Sequence, residues 1–226
     1  MQTEPNFHHV AAAMADARRS RMLCTLMDGR AFTAKELACD AGITPQTASA
    51  HLGRLKAAGL IHAEKSGRHV YHRLAGVQVA EMLESLGCLS PLDHLQRARK
   101  SCGARRDGAD ALFARCCYSH LAGELGVMVH DAMRARALLV PQGEGLRLSA
   151  AGQVWAVQHG FRLRAGARRC LDWSERRHHL AGPLAIDLLA QMFAREWVVR
   201  AKTGRALILG PAGRAGFEEA FDLHEF

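Results

Sequence analysis

Residues 33–74 constrain this chain more than any other stretch, because they hold two helix patterns separated by only two residues. Thr33 and Glu36 have the spacing of a capping box, in which a hydroxyl and a carboxylate each satisfy the other residue's backbone N–H. The helix pattern TAKELACDA then turns Leu37 and Ala38 toward a core. Gly42-Ile43 breaks the run. Thr44 caps a second helix with Pro45 at its first position, where a missing N–H has no consequence. Ala48, Leu52 and Leu55 make the buried stripe of that helix. Two helices joined this closely form a helix-turn-helix unit. Residues 60–74, LIHAEKSGRHVYHRL, read as a basic hairpin turning at Ser66-Gly67, which makes the unit winged. This shape places one helix in the DNA major groove.

The second helix carries the side chains that suit such a groove. Thr44, Gln46, Thr47, Ser49, His51, Arg54 and Lys56 fall largely off its apolar stripe. Gln46 matches adenine, and Arg54 matches guanine or a phosphate. In the hairpin, Lys65, Arg68, His69, Tyr71 and His72 suit flanking phosphates or the minor groove. Residues 7–28 read as one or two helices on the broken stripe of Val10, Met14, Ala17, Met22, Leu23 and Leu26. A further helix is expected over 77–86, ended by Gly87 and Pro91.

The 226 residues allow one large or two ordinary domains. We read a winged helix-turn-helix and dimerisation domain at 1–95, a basic linker at 96–112, and a C-terminal sensor domain at 113–226. The net charge of +8 fits a polyanionic partner. It is uneven: residues 1–95 hold 10 Lys/Arg and 9 Asp/Glu, and residues 96–226 hold 20 and 13. Part of the excess is RARKSCGARR (97–106), read as a solvated linker. No apolar run reaches the length of a membrane span, and the first residues lack a secretory pattern, so a cytoplasmic protein is expected. Seven scattered cysteines without a CxxC pair are expected to be free thiols.

The second domain contains an internal repeat. HLAGELGVMVHDAMRARALL begins at His120, and HLAGPLAIDLLAQMFAREWVV begins at His179. Leu125 aligns with Leu184, Met133 with Met192, Arg136 with Arg195, and Leu138-Leu139 with Trp197-Val198. Each copy is expected to run helix, strand, turn, strand, helix, over about 115–165 and 169–222. The fold class expected is mainly α with small β-hairpins (α+β): an N-terminal winged helix-turn-helix and a C-terminal pseudo-repeat of winged-helix-like units.

The first third of the chain resembles the ArsR/SmtB family of bacterial winged-helix regulators. The resemblance lies in ELACDAGITPQTASAHLGRLKAAGLIHAEKSGRHVYHRL (36–74), with its S-x-H-L-x-x-L helix end, AGLI, and G-R-x-V-Y wing. It implies a homodimeric, cytoplasmic repressor that binds an inverted repeat in double-stranded DNA. It also implies dimerisation through the first helix and the helix after the wing, and release by a small inducer. Two departures matter. The Cys-x-Cys box of thiol-sensing members is reduced to Cys39, and the helix after the wing offers only Glu81 and Glu84 where zinc-sensing members carry Asp and His. Cys39, like Cys24, reads as a small buried residue.

Sensing is therefore expected in the C-terminal domain. The candidates are Cys116, Cys117, Cys170, His120, His178 and His179, with thiols just ahead of each copy's first helix. A helix N-terminus and the nearby Arg115, Arg168 and Arg169 would lower thiol pKa values. If the copies are symmetric, Cys117 and Cys170 come together and suit a soft metal, a metalloid or oxidation. No resident cofactor follows from the sequence. Adjacent histidines on a helix would point apart, which weakens His178 and His179 as a ligand pair. An apolar organic inducer is the alternative, in a pocket lined by Trp155, Phe161, Trp173, Met192, Phe193 and Trp197. A Cys-dependent enzyme using Cys117 with His120, or Cys170 with His178, is a remote alternative, since no orienting third group or phosphate loop accompanies either pair.

Overall fold

The computed structural model describes residues 5–90, 111–202 and 204–224. It is a mixed α and β fold that divides into two compact units, 1–83 and 84–226. Nearly all of the linker expected at 96–112, including the basic stretch 97–106, lies outside the described residues.

The first unit begins with α1 (His8–Met14) and α2 (Ala17–Leu26). Asp16 separates them, its carboxylate accepting from the N–H groups of Arg18 and Arg19 to cap α2. A short strand β1 (Phe32–Thr33) leads into α3 (Ala34–Ala41) and α4 (Pro45–Ala57). Both halves of the Thr33–Glu36 capping box form, and Thr44 caps α4 with Pro45 in its first turn. The wing is β2 (Ile61–Ser66) and β3 (His69–Leu74), antiparallel in the sheet order β1-β3-β2. Met22, Leu23, Leu26, Leu37, Leu52, Leu55, Ile61 and Leu74 form the core. The next helix, α5 (Val77–Leu89), belongs to the second unit from Glu84 onward, and continues through Gly87 rather than stopping before it.

Two expectations are corrected here. Cys24 and Cys39 are exposed, not buried. Cys24 lies on the solvent side of α2, whose inner face is taken by Met22, Leu23, Thr25 and Leu26, and Cys39 faces outward while Leu37 and Ala38 face in. His72 is buried instead of presenting a wing charge, because alternation along β3 turns His72 and Leu74 to the same inner face. Burial, with Lys56 adding, pushes its imidazole below the ordinary range.

The second unit contains the repeat, with a hairpin ahead of each copy. The first half runs β4 (Arg115–Cys117), β5 (His120–Ala122), α6 (Glu124–Ala135), β6 (Leu139–Gln142), β7 (Gly145–Leu148) and α7 (Ala150–Gln158). The second half runs β8 (Gly166–Leu171), β9 (His178–Ala181), α8 (Pro183–Ala194), β10 (Val198–Arg200), β11 (Leu207–Leu209) and α9 (Gly213–Phe221). HLAG is therefore the second strand of a hairpin and the cap of the next helix, not a helix start. Gly123 and Gly182 occupy the cap at φ 84°, ψ −171° and φ 83°, ψ −172°, a conformation natural only to glycine.

The halves exchange strands. β8 joins the first half's hairpin to make the sheet β6-β7-β8-β9. Reciprocally, β4 lies along the second half's hairpin: the Cys116 N–H donates to Arg205 O at 2.9 Å and the Leu207 N–H to Ala114 O at 2.8 Å. One core serves both, built from Leu125, Met133, Leu184, Leu188 and Met192 with Trp155, Phe161, Trp197, Phe217 and Phe221. The repeat conserves volume while moving it. Where the first half has Leu138 and Trp155, the second has Trp197 and Gly216, and the Trp197 indole lies over the bare Gly216 backbone.

Gly216→Ala drives a Cβ into the Trp197 ring. It should destabilise the second unit by about 1–3 kcal/mol in chemical denaturation, the usual cost of overpacking. Thr33→Ala removes the α3 cap and should cost the first unit about 0.5–2 kcal/mol in the same measurement.

Candidate functional site

In the first unit, α4 presents a polar face. Thr44, Gln46, Thr47, Ser49, Arg54 and Lys56 are exposed, while Ala48, Leu52 and Leu55 anchor the other side of the helix. The Ser49 hydroxyl donates back to Pro45 O at 2.9 Å, and Thr44 and Thr47 share a hydroxyl contact of 2.9 Å. His51 stands apart: it is half-buried, with Nδ1 3.1 Å from Arg19 Nη1 and 3.9 Å from Asp16 Oδ1. It ties α4 to the corner between α1 and α2. The wing exposes Lys65, Arg68 and His69 around the two-residue turn at Gly67. Tyr71 is half-buried, its ring edge-on to His69.

The second unit brings four of the six sensor candidates together. One ligand atom from each of Cys117, His120, Cys170 and His179 lies within 4.8 Å of the others. The strand register explains the convergence. Cys117 pairs with His120 across the β4–β5 hairpin, and Cys170 pairs with His179 across β8–β9. Each hairpin thus offers one sulfur and one imidazole, and the strand exchange sets the two pairs face to face. The Nε2 atoms of His120 and His179 are 3.1 Å apart.

The other two candidates fall elsewhere. Cys116 points the opposite way along β4 into the core, its Sγ 3.3 Å from Arg200 Nη1. His178 is exposed at the start of β9. The sequence reading that neighbouring histidines diverge holds for a different reason, since alternation on a strand separates them. The aromatic pocket is also corrected. Trp155, Phe161 and Trp197 pack on one another and on Phe217 and Phe221. Arg115 lies over Trp173, and Arg200 over Phe193. Near Met192, a cavity of about 10 Å³ lined by Leu121, Val129 and Leu188 has room for a water at most.

Behind the cluster stands a network that sequence reasoning missed. Asp172 is fully buried and lies 3.1 Å from His179 Nδ1. Its Oδ2 accepts the Gly123 N–H at 2.8 Å, and its Oδ1 accepts from Arg115 Nη2 at 2.5 Å and from the Ser174 hydroxyl at 2.7 Å. Arg115, also fully buried, donates to Ser174 Oγ and Ala111 O, each at 3.0 Å. Glu84 lies 3.8 Å from Arg115, 3.5 Å from Arg205 and 3.4 Å from Cys117 Sγ. The one sequence signal was Asp172-Trp173-Ser174, a side-chain turn pattern in which an Asp accepts the N–H two residues on; the structure forms that bond at 3.0 Å.

At Cys117 the electrostatics overturn the expected acidic thiol. The hydrogen bond with Cys170, then burial, pushes the Cys117 thiol up to about 12. The thiol sits in a strand, so no helix N-terminus acts on it. Burial works to depress His179, but the Asp172 carboxylate and Cys117 override it and raise the imidazole to about 9. Burial works to raise Asp172, yet His179 and Arg115 hold it well below the usual carboxylate range.

The chain is similar to known transcriptional regulators. A helix-turn-helix domain model matches residues 14–64. The HTH-type transcriptional regulator YdfF of Bacillus subtilis is 38% identical over 226 residues, covering 97% of this chain and 98% of that one. Its likeness therefore spans the second unit as well as the first. The regulator CmtR of Mycobacterium tuberculosis is 38% identical over 74 residues, 33% of this chain and 62% of its own. The solved structure of that protein, described as a cadmium metal-sensor, is 35% identical and covers 35% of this chain and 81% of that one, with a TM-score of 0.31. The chain belongs to the HTH-type transcriptional regulators of the ArsR/SmtB type, and carries an additional C-terminal unit. Among the described residues, no helix is long and apolar enough to cross a membrane.

Arg115→Leu leaves Asp172 buried without its guanidinium partner. Breaking such a pair from one side costs about 3–5 kcal/mol, so urea unfolding should show a loss of that size, and Arg115→Lys should recover part of it.

Proposed function

We propose that this regulator is a homodimeric, cytoplasmic repressor, and that a thiol-directed inducer acting on its C-terminal unit releases it from an inverted repeat in double-stranded DNA. The observation that carries the DNA reading is the exposed polar face of α4 accompanied by a basic wing tip. In this reading Gln46 and Arg54 read base edges. Thr44, Thr47, Ser49, Lys56, Lys65, Arg68 and His69 hold the phosphates, with Tyr71 supporting the wing and His51 fixing the helix against the α1–α2 corner. Phe7 at the start of α1, and Leu86 and Leu89 on α5, are exposed apolar residues on the two helices through which the family resemblance implies dimerisation.

The sensing reading rests on the convergence of Cys117, His120, Cys170 and His179. A soft metal, a metalloid or an oxidant fits two facing thiols. An apolar organic inducer is less well supported, because the aromatic residues that would line its pocket pack on each other. The catalytic alternative gains no support from the thiol environment, since Cys117 is held protonated.

Binding to the regulator's own upstream DNA should weaken steeply with added salt. Arg68→Ala should lower affinity for all sequences and reduce the salt slope by about 1. Gln46→Ala should relax preference at one base position, by about 1–3 kcal/mol of discrimination. Unchanged DNA binding in both variants would remove this docking of α4. An inducer must weaken DNA binding by the same factor by which DNA weakens inducer binding.

A further inference from the structure

We propose that Cys117, His120, Cys170 and His179 form one tetrahedral S2N2 site for a divalent cation of the zinc class, shared between the two halves of the C-terminal unit. The assignment takes its residues from the sensing reading above but does not depend on the ion being the inducer.

The donor set is the first argument. Two thiols and two imidazoles with ligand atoms within 4.8 Å of one another match the composition of tetrahedral zinc sites. Hard cations that want six or more oxygens find no oxygen among these four donors. Geometry is the second. Each hairpin contributes a sulfur and a nitrogen from directly paired strand positions, Cys117 with His120 and Cys170 with His179. The two Nε2 atoms already face each other at 3.1 Å. Four donors thus arrive as two pairs, one from each half of the unit, with their ligand atoms within reach of a single ion.

Support behind the ligands is the third. Asp172 stands 3.1 Å from His179 Nδ1, on the ring edge away from His120. A carboxylate behind a ligating histidine fixes the ring and leaves Nε2 to coordinate. Asp172 is itself held by Arg115, Ser174 and the Gly123 N–H, so the supporting group is as fixed as the ligand.

Charge selects the valence. Ligation displaces one proton from each thiol to solvent, and His179 must coordinate as the neutral imidazole, giving up any proton it carries. In the loaded site two thiolates then balance a divalent cation, so the ion and its four ligands carry no net charge. Asp172 and Glu84 are already matched by Arg115 and Arg205. A monovalent soft ion would leave one uncompensated negative charge in the interior, which is costly.

The test uses the purified full chain, stripped with a chelator and titrated with cobalt(II), then zinc(II). One cobalt per chain is expected, with thiolate-to-cobalt charge-transfer absorption and the intense visible bands of a tetrahedral ion, both bleached by zinc. Cys117→Ser and Cys170→Ser should each lose the charge-transfer band, whereas the exposed-thiol variants Cys24→Ser and Cys39→Ser should keep it. If the site variants fail to fold, X-ray absorption of the wild-type zinc form decides, with two sulfur and two nitrogen neighbours expected. No cobalt spectrum in the wild type, a spectrum that survives in both site variants, or a different first shell would overturn the assignment. DNA affinity measured on the same preparations separates the two readings. Equal affinity with and without the ion makes it a resident ion and sinks metal induction alone. Thiol oxidation that changes DNA affinity in a protein that binds no cobalt sinks the metal site and leaves thiol sensing intact.

Discussion

The C-terminal unit depends on an exchange of strands between its two halves. β8 completes the sheet begun by β6 and β7, and β4 lies along the hairpin of β10 and β11. Neither half has a finished sheet without the other, and their helices share one core. The chemistry follows from the same exchange. Because each exchanged strand belongs to a hairpin with a Cys–His pair, reciprocal placement brings two such pairs to one point. A single hairpin could offer only two ligands.

The cluster's surroundings are asymmetric although its members are not. Arg115 in the first half is fully buried against Asp172, whereas Arg168, its counterpart in the repeat register, is exposed. The second hairpin carries a longer turn containing Asp172 and Ser174, and that turn reaches across to the Gly123 N–H at the cap of α6. One half thus supplies the cation and the other the anion. A buried pair of this kind adds little net stability against an apolar replacement. What it does here is hold His179 in place and tie the two halves together.

The winged unit is built differently. Its polar face is held mainly by side chains that never reach it, Leu52 and Leu55 beneath α4, the Thr33 cap of α3 and His51 against Arg19, with the Thr44 cap at the edge of the face itself. Such a face can change its DNA preference by surface substitution without disturbing the core. The buried cluster cannot, since every change there leaves a polar group without its partner.

Local order was legible in the sequence because local signals decide it. The Thr33–Glu36 capping box, Pro45 in the first turn of α4, and the wing turn at Ser66-Gly67 all formed where the pattern placed them, and the aligned HLAG blocks revealed the repeat. The failures lie where periodicity is silent. HLAG reads equally as a helix start or a strand end, and only pairing with Cys117 and Cys170 made it a strand. That pairing put His179 inside and His178 outside; the Cys170 contact and burial raised the Cys117 thiol where a helix terminus would have lowered it; and in the wing, alternation along β3 turned His72 inward. Glu84 carried no sign of its role and Asp172 only that of a local turn, because a buried charge is defined by partners distant in sequence, and only the tertiary structure selects them.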